Sequence, residues 1–261
     1  MIAARSRTLA IIDPLRRRLK MPDQRPRFYC PAIGRMDPGE LSDRPISLDD
    51  VQARHALRVL RLRPGDHVVL FDGAGRSASG ELAEGGRVLA GDVLVHAPPA
   101  MTVDVAAAMP KAGRADDMVH MLSQVGVDRF IPLVTQRSVA EPGDKRLERY
   151  KLLAIESAKQ GGRAYLLEVT GSMKLEQVLD EQHDVRLIAQ PQAPGGFARP
   201  AATPGRVLIL IGPEGGWTDD ELAVADRRGA ARWQLGPHVM RIETAAVAAA
   251  ALVRYLFTAA L

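Results

Sequence analysis

Residues 207–211 read Val-Leu-Ile-Leu-Ile, five apolar positions with no polar alternation, the pattern of a strand buried on both faces of a parallel sheet. Similar runs predict strands at 103–109, 129–134, 166–169, 185–189 and 231–235, with helical periodicity at 114–124, 145–160, 175–181 and 243–260. Thr218-Asp-Asp-Glu221 has the composition of a capped helix start. Strands that alternate with helices predict an α/β domain, a mostly parallel sheet with helices on both faces. The earlier part of the chain reads differently. A short edge strand at 27–31 precedes a helix capped by residues 48–50 and running through His55 to Leu60. Strands at 67–71, 77–82 and 88–95, with Asp72-Gly73 as a hairpin signal, predict a small antiparallel sheet or barrel. Pro98-Pro99 can continue neither element and marks the boundary, so the division is 1–26, 27–99 and 100–261. The Pro-, Ala- and Gly-rich stretch 191–204 is a surface loop.

Two glycine-proline breaks are expected to end strands that sit side by side in the second domain. Gly212-Pro-Glu-Gly-Gly216 follows 207–211, and Gly236-Pro237 follows Leu235. Ligands of open α/β sheets bind at such carboxyl ends, and Gly212, Gly215 and Gly216 are expected to supply positive φ and bare backbone. Glu214 places a negative charge in the loop and no Gly-Lys-Ser/Thr follows, so the pair suits a cationic or hydroxyl-rich small molecule better than a phosphate. Two tight turns without a ligand are the plain alternative.

Composition narrows the classes. At 261 residues, 46% hydrophobic and 25% charged, the chain can bury two cores. Aromatics at 4% argue against a many-ringed platform for single-stranded nucleic acid. A single cysteine, Cys30, excludes an internal disulfide framework and fits a reducing, cytoplasmic setting, and six histidines without a His-x-x-x-His pair imply no metal. No 18-residue apolar run is present, so no membrane span is expected. The net charge of +4 is local: residues 1–27 hold eight Arg or Lys against two Asp, leaving 27 basic against 29 acidic residues. The basic arm 1–26, with its Arg16-Arg-Arg-Leu-Lys20 run, is expected to be flexible, either an RNA-binding tail or an extension without a role.

Leu210-Ile-Gly-Pro-Glu-Gly-Gly216, Leu235-Gly-Pro237 and Met240-Arg-Ile-Glu-Thr-Ala245 together resemble the ribosomal small subunit methyltransferase E family, from about Arg27 to the end of the chain. The resemblance implies a SPOUT-class, trefoil-knotted domain preceded by a PUA-like β-barrel domain. It implies methylation of ring N3 of one uridine in 16S ribosomal RNA from S-adenosylmethionine, with 16S RNA or the small ribosomal subunit as partner and a homodimer as the assembly. The methyl donor is expected in the crevice formed by Ala189, Ile211, Gly212, Pro213, Glu214, Gly215, Gly216, Leu235, Gly236, Met240 and Arg241. Lys111 and Arg114 match the family's basic entry to the first helix, and Thr135-Gln-Arg-Ser138 and Glu156-Ser-Ala-Lys-Gln160 with Arg163 also match. Met121, Gln124, Leu167, His238 and Ile242 depart from the usual residues, which bears on the RNA contacts rather than on methyl transfer.

Methylating uridine at N3 removes a ring proton and spreads negative charge onto two carbonyl oxygens. A guanidinium suits that charge, and Arg241 is the candidate, with a structural ion pair to Glu243 as its alternative role. Glu243 is expected to complement the final helix's dipole, in preference to acting as a general base. His238 could carry a proton but a lone loop histidine is more often incidental. Arg58, Arg61, Arg63, Lys111, Arg114 and Arg137 are candidate RNA contacts, since arginine forks match phosphate oxygens. Competing readings are a SPOUT-class methyltransferase with another target, including ribose 2′-O, and a non-catalytic ribosomal-RNA-binding assembly protein. The Asn-Glu-x-x-Gly and Ser-Leu-Asn-Val signatures of the 2′-O branch are absent, and the intact glycine loops argue against the non-catalytic reading.

Overall fold

The structure, a computed structural model, describes residues 25–35, 45–111, 113–193 and 202–258. Residues 1–24, which hold most of the expected basic arm, lie outside them, as does much of the 191–204 loop.

The first domain is a five-stranded sheet of β1 (Arg27–Tyr29), β2 (Ile46–Ser47), β3 (His67–Phe71), β4 (Arg76–Ala83) and β5 (Arg87–Val95), ordered β1-β3-β4-β5-β2. β1 is an edge strand, parallel to β3, and the other pairings are antiparallel. The β3–β4 turn closes because Asp72 Oδ1 accepts the N–H groups of Ala74 and Arg76 at 2.8 and 2.9 Å. Helix α1 (Asp50–Arg54) starts at Asp49, whose carboxylate accepts the Gln52 N–H at 2.8 Å. The α-helical stretch is shorter than expected, because from His55 to Val59 the backbone opens into a π-turn. Phe28, Ile33, Val68, Leu70 and Val88 are the centre of this domain's core.

The second domain alternates β6 (Thr102–Ala108), α2 (Arg114–Gln124), β7 (Arg129–Val134), α3 (Asp144–Gly161), β8 (Glu168–Val169), β9 (Met173–Lys174), α4 (Leu175–Asp180), β10 (Val185–Ala189), β11 (Arg206–Ile211), α5 (Asp219–Arg227), β12 (Ala231–Trp233) and α6 (Ile242–Thr258). The strands are all parallel, ordered β12-β10-β11-β6-β7-β8, with β9 also on β7. β11 is apolar from Val207 to Ile211 because it has two buried faces. Val207, Ile209 and Ile211 join the core under α2, α3 and α6, whereas Leu208 and Leu210 join the core under α4 and α5. After edge strand β12 the chain runs back past the carboxyl ends of β10 and β11 and lays α6 over β6 and β11 against α2, the re-entrant path of a knotted domain.

Two strands are shorter than the sequence pattern suggests. β12 stops at Trp233, and Leu235 beyond it lines the cleft described below. β8 is only Glu168–Val169, because the Leu166 N–H donates to Gly73 O at 2.9 Å instead of to a sheet neighbour. That bond belongs to the contact between the two domains. Gly75 N–H donates to Ala164 O at 3.1 Å and Tyr165 Oη donates to His96 O at 2.9 Å. Gly75 is required there, since its φ is 101° and a Cβ would sit 2.3 Å from Tyr165 Oη.

Candidate active site at the carboxyl ends of three strands

The two strands that end in Gly-Pro breaks are not adjacent as expected: β10 lies between β12 and β11, so Trp233, Ala189 and Ile211 form a row at the carboxyl ends. They border a cleft of about 140 Å³. The loop after β11 contributes Gly212, Pro213, Glu214, Gly216 and Trp217, and the loop after β12 contributes Leu235, Gly236, His238, Val239 and Met240. Gln190 and Pro191 close one end, and Ile242 and Ala245 of α6 form a wall.

The β11 loop is held from three sides. Trp217 Nε1–H donates to Ala189 O at 2.9 Å, and Arg137 donates to Gly215 O at 2.8 Å. Thr218 and Glu221 form a capping box that starts α5, while the second Glu221 oxygen accepts the Gln136 N–H at 2.9 Å. The glycines have distinct reasons. Of the three expected to adopt positive φ, only Gly216 does, at 72°. Gly212 is needed for close approach, since a Cβ would meet Trp217 Cε2 at 2.8 Å. Gly215 does not line the cleft; it packs toward Arg137.

A charged cluster flanks the cleft. Arg114 bridges Glu214 Oε1 at 3.0 Å and Glu243 Oε1 at 3.2 Å. The Glu214 hydrogen bond foremost, with the Glu243 contact, pushes the Arg114 guanidinium above its ordinary range despite some desolvation. The Glu243 side chain is only 11% exposed, and its Oε2 is buried with no hydrogen-bond partner among the described residues. Arg241, between the cleft residues Met240 and Ile242, is exposed and has no side-chain partner among the described residues. The Arg241–Glu243 ion pair considered from sequence is therefore not formed; Arg114 takes Glu243 instead.

The RNA methyltransferase domain model matches residues 97–254, and the RNA methyltransferase PUA domain model matches residues 48–89. Ribosomal RNA small subunit methyltransferase E of Mycobacterium bovis is 32% identical over 77% of this chain and 83% of its own length. The chain belongs to this family. The Synechocystis member is 28% identical over 84% of this chain and 76% of its own. The Neisseria gonorrhoeae methyltransferase E, crystallised bound to S-adenosyl methionine, superposes with a TM-score of 0.77 at 26% identity, covering 89% of this chain and 98% of that one.

In this methyltransferase E chain, Ala189, Ile211, Gly212, Pro213, Glu214, Gly216, Leu235, Gly236 and Met240 converge on the cleft as expected, whereas Gly215 and Arg241 stand outside its lining. Sequence reasoning missed Trp217, Trp233, Gln190, Pro191, Val239 and Ala245. The chain has only two tryptophans, each within a few residues of a Gly-Pro break, and that was the available signal. Among the RNA candidates, Arg58, Arg61, Arg63 and Lys111 are exposed, and Arg61 adopts φ 54°. Arg114 and Arg137 differ, since Arg114 pairs with Glu214 and Glu243, and Arg137 donates to Gly215 O of the β11 loop.

Asp104, Glu181 and His183 come together at the opposite, amino-terminal end of the sheet, where their ligand atoms lie within 4.8 Å of one another. Their acceptors are already taken. Asp104 Oδ2 receives His183 Nε2 at 3.0 Å, Arg206 at 2.7 Å and Arg129 at 3.1 Å, so that among the described residues the three side chains belong to an ion-pair network.

Proposed function

We propose that the chain methylates ring N3 of one uridine in 16S ribosomal RNA, with S-adenosylmethionine bound in the cleft at the carboxyl ends of β10, β11 and β12. The observation that carries this reading is the cleft itself. Gly212, Gly216 and Gly236 bare the backbone and Ile211, Trp233 and Met240 offer apolar walls. Glu214 supplies a carboxylate at the edge, which suits a cationic ligand with a flat heterocycle. When bound, S-adenosylmethionine supplies an electrophilic methyl group on a sulfonium.

The chain's own residues orient and stabilise. Trp217, fixed to Ala189, shapes the pocket. Arg241, exposed and without a side-chain partner among the described residues, stabilises the charge that develops on the uracil oxygens. Residues 27–99 form the RNA-binding domain and 100–261 the catalytic one. Arg58, Arg61, Arg63 and Lys111 are the phosphate contacts. A homodimer through α6 is part of the proposal, supported by Leu252 and Tyr255, which are 40% and 69% exposed on that helix. No helix among the described residues is long and apolar enough to cross a membrane, in keeping with a cytoplasmic enzyme. Nucleoside mass spectrometry of small-subunit RNA from a deletion strain tests the reading: one 3-methyluridine should vanish and return on complementation, and an unchanged nucleoside profile contradicts it.

A further inference from the structure

We propose that Glu243 is the acceptor for the ring N–H of the target uracil, and that Arg114 is the residue that positions it. This rests on the uridine-N3 reading above and assigns the proton step within it.

Three observations converge. Glu243 Oε2 is buried without a donor among the described residues, and buried carboxylate oxygens in folded proteins have partners, so the donor is taken to arrive with a ligand. Its sister oxygen, Oε1, is fixed by Arg114 Nη1 at 3.2 Å, which leaves Oε2 as the free acceptor of an oriented carboxylate. The same guanidinium reaches Glu214 Oε1 at 3.0 Å, and Glu214 lines the cleft, so the Glu243 carboxylate stands one guanidinium away from the methyl donor's pocket.

The chemistry of the pair matches one base. Uracil presents N3–H flanked by two carbonyl oxygens, and its complement is an acceptor beside a donor. Glu243 Oε2 is the acceptor. Arg114 Nη2 becomes the donor when a base carbonyl displaces the Glu214 carboxylate, which is 44% exposed and readily rehydrated. Cytosine presents a bare ring nitrogen beside an amino group and would set acceptor against acceptor. In the reaction the N3–H proton passes to Glu243 Oε2, and the N3 electron pair forms the new bond to the methyl carbon. The carbon–sulfur pair returns to sulfur, leaving a neutral thioether and a protonated Glu243. Glu243 also stands in the first turn of α6, the place expected of it from sequence, and the proton-acceptor role is added to that one.

The test uses the full-length protein and Glu243→Gln, which keeps the shape but cannot take the proton. Calorimetry with S-adenosylmethionine should give an affinity within about twofold of wild type. Single-turnover methyl transfer on undermethylated small subunits should fall by about a hundredfold or more. Without any cofactor, wild type should prefer an RNA fragment with the target uridine over one with cytidine there, and the variant should lose that preference. Arg114→Lys, which keeps charge but not the fork, should give an intermediate loss of turnover. Near-normal turnover, an undiminished uridine preference, or a loss of cofactor affinity that accounts for the lost turnover would each overturn the proposal and leave Glu243 structural. A wild-type product other than 3-methyluridine would instead sink the underlying reading.

Discussion

The Trp217 indole N–H donates to the Ala189 carbonyl at 2.9 Å, joining the loop after β11 to the end of β10 across the floor of the cleft. Gly212 makes this possible, because a Cβ there would lie 2.8 Å from the indole. Gly212→Ala should therefore displace Trp217 and weaken S-adenosylmethionine binding by about tenfold or more, as overpacking costs of about 1–3 kcal/mol require. Gly215→Ala meets only Arg137, at 3.4 Å, and should change affinity by less than about threefold. Calorimetry on both, with circular dichroism to confirm folding, checks the contrast; equal effects would remove Trp217 from the account.

Arg241 has no side-chain partner among the described residues, so removing it breaks no structural contact there. Arg241→Ala should leave stability and cofactor affinity near wild type while lowering single-turnover methyl transfer by about a hundredfold, the usual effect of deleting a charge-stabilising donor. Near-normal transfer would exclude Arg241 from the reaction.

The candidate RNA contacts now divide into two groups with different readouts. Replacing exposed Arg58, Arg61 and Arg63 by Ala should flatten the slope of log RNA affinity against log salt by about two to three, through lost counterion release. Arg137→Ala removes the bond to Gly215 O and should weaken cofactor binding first, with little change in salt slope. The opposite pattern would restore Arg137 to the RNA surface.

At the far end of the sheet, burial alone would raise the Asp104 carboxyl, but the His183 hydrogen bond and the Arg129 and Arg206 guanidiniums outweigh it and hold it below the usual range. A depressed folded pKa stabilises the fold above the unfolded value, near about 4, and that contribution is lost as pH falls through the folded value. Urea melts should therefore show stability dropping below about pH 4 more steeply in wild type than in Asp104→Asn. At neutral pH the substitution should cost about 1–3 kcal/mol, since Arg129 and Arg206 lose one of their two carboxylate partners and keep Glu181. Parallel pH profiles would show that the network contributes no linkage.

What was legible in the sequence was whatever local pattern dictates. β11 announces itself because every residue from Val207 to Ile211 enters one core or the other, and Thr218 with Glu221 caps α5 within four residues. The cleft followed from two Gly-Pro breaks after strands. What stayed hidden depends on partners distant along the chain. Arg114 meets Glu214 across 100 residues and Glu243 across 129, so its engagement with two carboxylates had no local signature. Gly215 stands outside the cleft lining because Arg137, from 78 residues earlier, occupies its side, which a glycine-rich loop alone does not reveal. The short β8 had a similar cause, since Leu166 and Tyr165 are drawn to Gly73 and His96 of the other domain.

The most direct test of the central claim supplies purified protein with methyl-labelled S-adenosylmethionine and undermethylated small ribosomal subunits, then digests the RNA for nucleoside mass spectrometry. The label should appear in 3-methyluridine at a single position and be lost with Gly212→Val, which fills the cleft beside Trp217. Label on a ribose, label in another base, or undiminished 3-methyluridine formation by the Gly212→Val protein would contradict it.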